Sequence, residues 1–151
     1  TGLPATAIQS IAGQVESVLT IENLTTSHSE AKRHPSRPTL LIYTDGMPSQ
    51  AWRAMYQRLL SGIAPGTPVH HWGDVDEGGF RIASVLAKTS AAVGHALMPH
   101  AMTTDHVPMN MRKTASKRTL TRRKHFAELA GWTSLSEELC EAGFIVAEGA
   151  L

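Results

Sequence analysis

Cysteine is almost missing from this chain: Cys140 is the only one in 151 residues. A disulfide framework and any multi-cysteine zinc or iron–sulfur site are thereby excluded. So little cysteine leans weakly toward a reducing, cytoplasmic compartment. Long hydrophobic runs are missing too. None approaches the ~20 residues that a membrane-spanning helix needs, so no membrane partner is expected. No secretory signal is visible, and because the chain starts at Thr1 a fragment of a longer protein is expected. Neither sign of charge is in excess, with 14 Lys and Arg against 13 Asp and Glu. Internal repeats and low-complexity segments are absent.

What is present is an ordinary globular composition, 42% hydrophobic and 18% charged. The length predicts one domain over residues 1–151, burying roughly two-thirds of its unfolded surface. The charge is unevenly spread. Arg112, Lys113, Lys117, Arg118, Arg122, Arg123 and Lys124 fall together with no acid among them, and the acids return as Glu128, Glu137, Glu138, Glu141 and Glu148. Such a block suits a polyphosphate partner. The plainer alternative is a solvated helix face or an exposed loop.

Residues 4–14 read as a first helix, with Ile8, Ile11, Ala12 and Val15 at helical spacing. Val15 to Asn23 reads as a strand, and His28 to Pro38 as a loop. Thr39 to Thr44 is an apolar run that fits a buried strand, broken by Asp45-Gly46. Ser49 can N-cap a helix that carries Trp52, Met55, Tyr56, Leu59 and Leu60 on one stripe and ends at Gly62. Thr67 to Trp72 predicts a third strand and Gly78 to Lys88 a helix. Residues 95–102 predict a fourth strand, and residues 117–145 look helical. Strands alternating with helices predict an α/β fold of the Rossmann-like kind: about four strands, mostly parallel, flanked by helices. Ligands of such sheets sit at the carboxyl ends of the strands. That edge would gather Glu22, Asp45, Asp74 and Asp76.

Carboxylates at i and i+2 of an extended segment point the same way, so Asp74 and Asp76 form a pair. Glu22 ends an apolar strand, where a buried acid without a partner is costly. Alone, Glu22 reads equally well as a solvated strand end, and the Asp pair as a turn. Together at one edge they repel unless a cation or a proton neutralises them. Oxygen ligands favour Mg²⁺ or Mn²⁺ over zinc or copper. Gly78 and Gly79 would open the helix start to a phosphate, or simply make a tight turn.

A glutamate ending the first strand with an Asp-x-Asp ending another resembles the Toprim arrangement of topoisomerases, primases and several nucleases. More closely, Leu19-Thr20-Ile21-Glu22-Asn23-Leu24, Leu41-Ile42-Tyr43-Thr44-Asp45-Gly46 and His71-Trp72-Gly73-Asp74-Val75-Asp76-Glu77-Gly78-Gly79 resemble the carboxyl-terminal domain of the Wadjet JetD family. The similarity runs from Val15 to Met102. That family is similar to the catalytic subunit of type IIB topoisomerases, which joins a winged-helix region to a Toprim domain. The resemblance implies a Toprim fold and metal-dependent hydrolysis of plasmid DNA within an anti-plasmid defence system. It implies double-stranded DNA and condensin-like subunits as partners, and the topoisomerase-like relatives suggest a homodimer. The family's further Glu-containing motif is matched poorly by Val146-Ala147-Glu148-Gly149-Ala150-Leu151, so Glu148 is either that acid or a surface residue.

On this reading Asp74 and Asp76 hold the ion, and Glu22 completes its shell or serves as general acid or base. Topoisomerases attack with a tyrosine. Here only Tyr43 and Tyr56 exist, both at predicted core positions, which favours hydrolysis by water. His100, Arg118, Arg122 and Arg123 are candidates for phosphate contact. Of His70 and His71, alternating along a strand, at most one can face the site; either fits the core or solvent as well. The alternatives are a non-catalytic DNA- or partner-binding Toprim module, or another Mg²⁺-dependent phosphotransferase. The haloacid-dehalogenase pattern places D-x-D-x-[TV] on the first strand. Here the pair follows the third strand, and Gly78 stands where Thr or Val is wanted.

Overall fold

A computed structural model of the chain describes residues 15–22 and 38–146. The helix expected over 4–14, most of the loop over 28–38, and Glu148 lie outside the described residues. Strands β1 (Ser17–Ile21), β2 (Thr39–Tyr43), β3 (Val69–Trp72) and β4 (Leu97–Pro99) form one parallel sheet in the order β2-β1-β3-β4. The chain leaves β1 toward one edge and β3 toward the other. These two central neighbours therefore make the switch point at which open α/β sheets place their ligands.

Helix α1 (Gln50–Ser61) begins where Ser49 Oγ accepts the Trp52 N–H and ends at Gly62. Helix α2 (Glu77–Ala91) is capped by Asp76, whose Oδ1 accepts the Gly79 N–H at 2.7 Å. Val18, Val69 and Leu97 stand side by side in the ladder and share a core with Tyr56, Leu60, Phe80, Ala83 and Leu86 from the two helices. By strand alternation, Thr20 and His71 face the same way as Val18 and Val69. The sheet is thus the α/β layer structure that the alternating elements predict.

The carboxyl-terminal third departs from a single helical stretch. It contains α3 (Lys117–Leu129), α4 (Thr133–Ala142) and an antiparallel ribbon of β5 (Arg112–Thr114) with β6 (Phe144–Val146). Gly131, at φ +85°, breaks the helix. The turn is then anchored by Trp132, whose buried indole N–H donates to the Leu97 carbonyl at 2.9 Å. No helix among the described residues is long and apolar enough to cross a membrane.

Arg123 corrects one expectation. It is 2% exposed, and its guanidinium donates to the carbonyls of Leu139 and Phe144. The side chain ties α3 to the end of α4 and to β6, and so cannot lie against a DNA backbone. Arg123→Met keeps the bulk but removes both hydrogen bonds, leaving the Leu139 carbonyl with only the Gly143 N–H. It should lower unfolding stability by about 2–4 kcal/mol, read from a urea melt. A loss below 1 kcal/mol would mean that the strap is dispensable.

Candidate functional site

The site lies where β1 and β3 end. Glu22 follows β1, and its N–H donates to the Trp72 carbonyl at 3.2 Å, which holds the two strand ends together. Its carboxylate projects on the helix-covered side, two residues after Thr20. Asp74 and Asp76 occupy the short link from β3 to α2. Burial, then the negative charges of Glu22 and Asp76 and a hydrogen bond with Glu22, push the Asp74 carboxyl up to about 6. Asp76 is also raised, mainly by burial and partly by Glu22, although the Gly79 N–H and Arg123 pull it back. The three acids named from the sequence therefore act on one another.

The link is tightly built. Gly73 has no Cβ to separate Glu22 from His71. A Cβ there would collide with Glu22 Oε1 and stand 2.7 Å from His71 Nε2. The Gly73 N–H donates to Met102 Sδ at 3.4 Å in a buried contact. Gly79 packs directly on the Asp74 backbone, and a Cβ would overlap the Asp74 carbonyl oxygen. Its amide serves the Asp76 cap, which corrects the expectation that Gly79 offers its N–H to a phosphate. Gly78 is exposed and unconstrained, with only Asp76 Oδ1 near a notional Cβ, at 3.5 Å.

Of the remaining candidates, Asp45 sits exposed in the left-handed region at φ +54° and accepts the Tyr43 hydroxyl at 3.3 Å. It is a turn residue, and besides burial the groups that raise Asp74 are Glu22 and Asp76, not Asp45. His100 packs edge-on against Trp72, 5.0 Å between ring centres, and near His70 at 6.3 Å. Those two rings alternate with His71 along β3, so His100 belongs to the other side of the sheet. Arg122 is half-exposed and pairs with Glu77, the neighbour of Asp76. That pair sets one face of α3 beside the acids, with Arg118 one turn earlier and exposed. Arg81 lies over the Phe126 ring at 5.0 Å on the same flank.

The sequence left open which of His70 and His71 faces the site, and the structure places His71 there. It is fully buried, its Nδ1 lies 2.7 Å from Thr20 Oγ1, and its Nε2 lies 3.5 Å from Glu22 Oε1. That last separation is within ion-pair reach but too long for a hydrogen bond. Parity along β3 separates His70 from His71, but only the Thr20↔His71 register reveals which one meets Glu22.

Among the described residues, no group of three or more His, Cys, Asp or Glu side chains is placed to hold a metal ion. The acids form a crowded, convergent group rather than a closed cage. The donor set is all carboxylate oxygen, and Glu22 Oε1 is buried without a hydrogen-bond partner. Crowded oxygen donors of this kind suit a hard divalent cation.

Residues 2–143 match the family model described as Wadjet protein JetD, C-terminal. The Wadjet protein JetD of Bacillus cereus (strain Q1) is 32% identical over 75 residues, which is 49% of this chain and 18% of that relative. The aligned region is thus less than a fifth of the relative's length.

Proposed function

This chain belongs to the Wadjet JetD family, and on that premise we propose that it is a Toprim-type deoxyribonuclease domain of an anti-plasmid defence system. It hydrolyses phosphodiester bonds of double-stranded DNA, alongside condensin-like subunits of the same system. The observation that carries this reading is the convergence of Glu22, Asp74 and Asp76 at the β1/β3 switch point, where burial first, and then the charges of Glu22 and Asp76, push the Asp74 carboxyl up to about 6.

Glu22, Asp74 and Asp76 would hold Mg²⁺ or Mn²⁺, Asp76 through the oxygen that its helix cap leaves over. When bound, such an ion neutralises the acids and stabilises charge developing on the phosphate oxygens. The chain's own residues do the rest. Gly73 and Gly79 let the strand end and the α2 start approach closely enough to fix the acids. Tyr56 is buried in the core and the Tyr43 hydroxyl is turned onto Asp45, so water is the nucleophile that fits. Arg118 would steer the DNA backbone along α3 toward Asp76, while Arg122 is held to Glu77 beside the acids.

The test is nicking of supercoiled plasmid with Mg²⁺ or Mn²⁺ by the wild type and by Asp74→Ala. Loss of a charge-stabilising ligand should lower the rate by 10²-fold or more. Equal nicking by both would leave the DNA- or partner-binding module as the better reading. Charge reversal at Lys117 and Arg118 should weaken DNA binding in a gel-shift titration; unchanged affinity would remove α3 from the path.

A further inference from the structure

Thr20 pairs with His71 across β1 and β3, and Glu22 follows Thr20 by two residues, so all three project to one side. His71 is fully buried, an unusual place for a ring with two polar nitrogens. Thr20 Oγ1 lies 2.7 Å from His71 Nδ1 and 3.3 Å from the His70 carbonyl. A hydroxyl has one proton to donate, and the ring nitrogen is the nearer acceptor. Donation to Nδ1 leaves the ring proton on Nε2, the nitrogen that faces Glu22 Oε1 at 3.5 Å. The other tautomer would aim a bare lone pair at a carboxylate oxygen in a buried place, which is repulsive. Neither Nε2 nor Oε1 has a hydrogen-bond partner, and the Glu22 side chain is only 11% exposed. The space they share exists because Gly73 has no side chain.

We infer that Thr20 and His71 form a buried positioning relay for Glu22, in which Thr20 fixes the tautomer and the Nε2–H of His71 holds the carboxylate toward Asp74 and Asp76. The inference rests on the reading of those acids as a cation site. Two orphaned polar atoms 3.5 Å apart gain a charge-assisted hydrogen bond by a small rotation of Glu22. A carboxylate held in one rotamer loses less freedom when it takes up an ion. His71 touches no substrate on this account and acts only through Glu22. Partners that orient a ligand in this way typically change cation affinity 10- to 100-fold.

The experiment uses the full chain in two arms. Nitrogen-15 spectra of the histidine rings at about pH 8, where histidine is ordinarily neutral, should show His71 as the Nε2–H tautomer. An Nδ1–H form overturns the relay. In Mn²⁺ calorimetry, His71→Leu should bind roughly 10- to 100-fold more weakly than the wild type. His71→Gln, which retains an N–H to offer, should recover most of that loss. Wild-type affinity in His71→Leu overturns the relay. Should His71→Leu fail to fold, Thr20→Val keeps the packing and removes the tautomer lock. It should mix the two ring forms and weaken Mn²⁺, and no change in either overturns the relay. A wild-type chain with no Mn²⁺ affinity overturns the cation reading instead, and the ring spectrum then decides the relay alone.

Discussion

Gly79→Ala should unfold far more readily than the wild type, with a loss of roughly 3–5 kcal/mol in a urea melt. The cause is steric and specific. The added methyl would overlap the Asp74 carbonyl oxygen and stand 2.8 Å from its carbon and 3.0 Å from the Asp74 nitrogen. These are backbone atoms, so no rotamer change can relieve the contact. The link from β3 to α2 must move, and Asp74 moves with it. Gly78→Ala is the control one residue away. Its methyl would meet nothing closer than 3.5 Å, and replacing glycine near a helix start adds up to about 1 kcal/mol of helix propensity. Equal stability for the two variants would show that the close approach at Gly79 is not limiting.

Asp74→Asn should make the metal-free chain more stable near neutral pH. The folded-state carboxyl is raised from 3.8 to about 6, so between about pH 4 and pH 6 the folded chain binds a proton that the unfolded chain has lost. Stability therefore falls as pH rises through that window and stays lower above it. A shift of about two units corresponds to nearly 3 kcal/mol, and partial exposure of Asp74 reduces this to about 1–2 kcal/mol. Asn carries no charge to repel Glu22 and Asp76, so the slope between pH 4 and pH 6 should flatten. Saturating Mn²⁺ should reverse the order. An ion at a hundred times its dissociation constant stabilises the wild type by about 2.7 kcal/mol, and the variant would lose most of that gain. Urea midpoints across pH, with and without Mn²⁺, measure both effects. Parallel curves for the two proteins would mean that Asp74 does not carry the strain of the acid cluster.

The sheet was legible because its signals are local. Ser49 and Gly62 mark α1 at its two ends, and the apolar runs of β1 and β2 stop at Glu22 and Thr44. Glu22 and the Asp74/Asp76 pair could be named because an acid at the end of an apolar strand stands out against its neighbours. What needed long-range pairing could not be read. The β5/β6 ribbon joins Arg112 with Val146, and neither segment alone has the length or alternation of a strand. The Thr20–His71 contact depends on the register between β1 and β3. Arg123 was readable in principle. It shares a helical stripe with the buried Ala127 and Ala130, but seven cations between residues 112 and 124 drew attention to charge rather than to spacing.

The way this chain uses those seven cations limits how it can respond to salt. Arg112 donates to the Val107 and Thr104 carbonyls and lies over Phe144, Arg122 answers Glu77, and Arg123 is buried. Lys113, Lys117 and Arg118 have no such tie among the described residues, and Lys124 is only loosely paired with Glu128 at 3.9 Å. At most four groups of this segment can displace condensed counterions from a duplex. Its contribution to the slope of log affinity against log salt is then no steeper than about −3.6, a loss of roughly 150-fold between 50 and 200 mM. Seven would have given several thousandfold. On the function proposed above, this segment would hold DNA beside the acids at moderate ionic strength without gripping it.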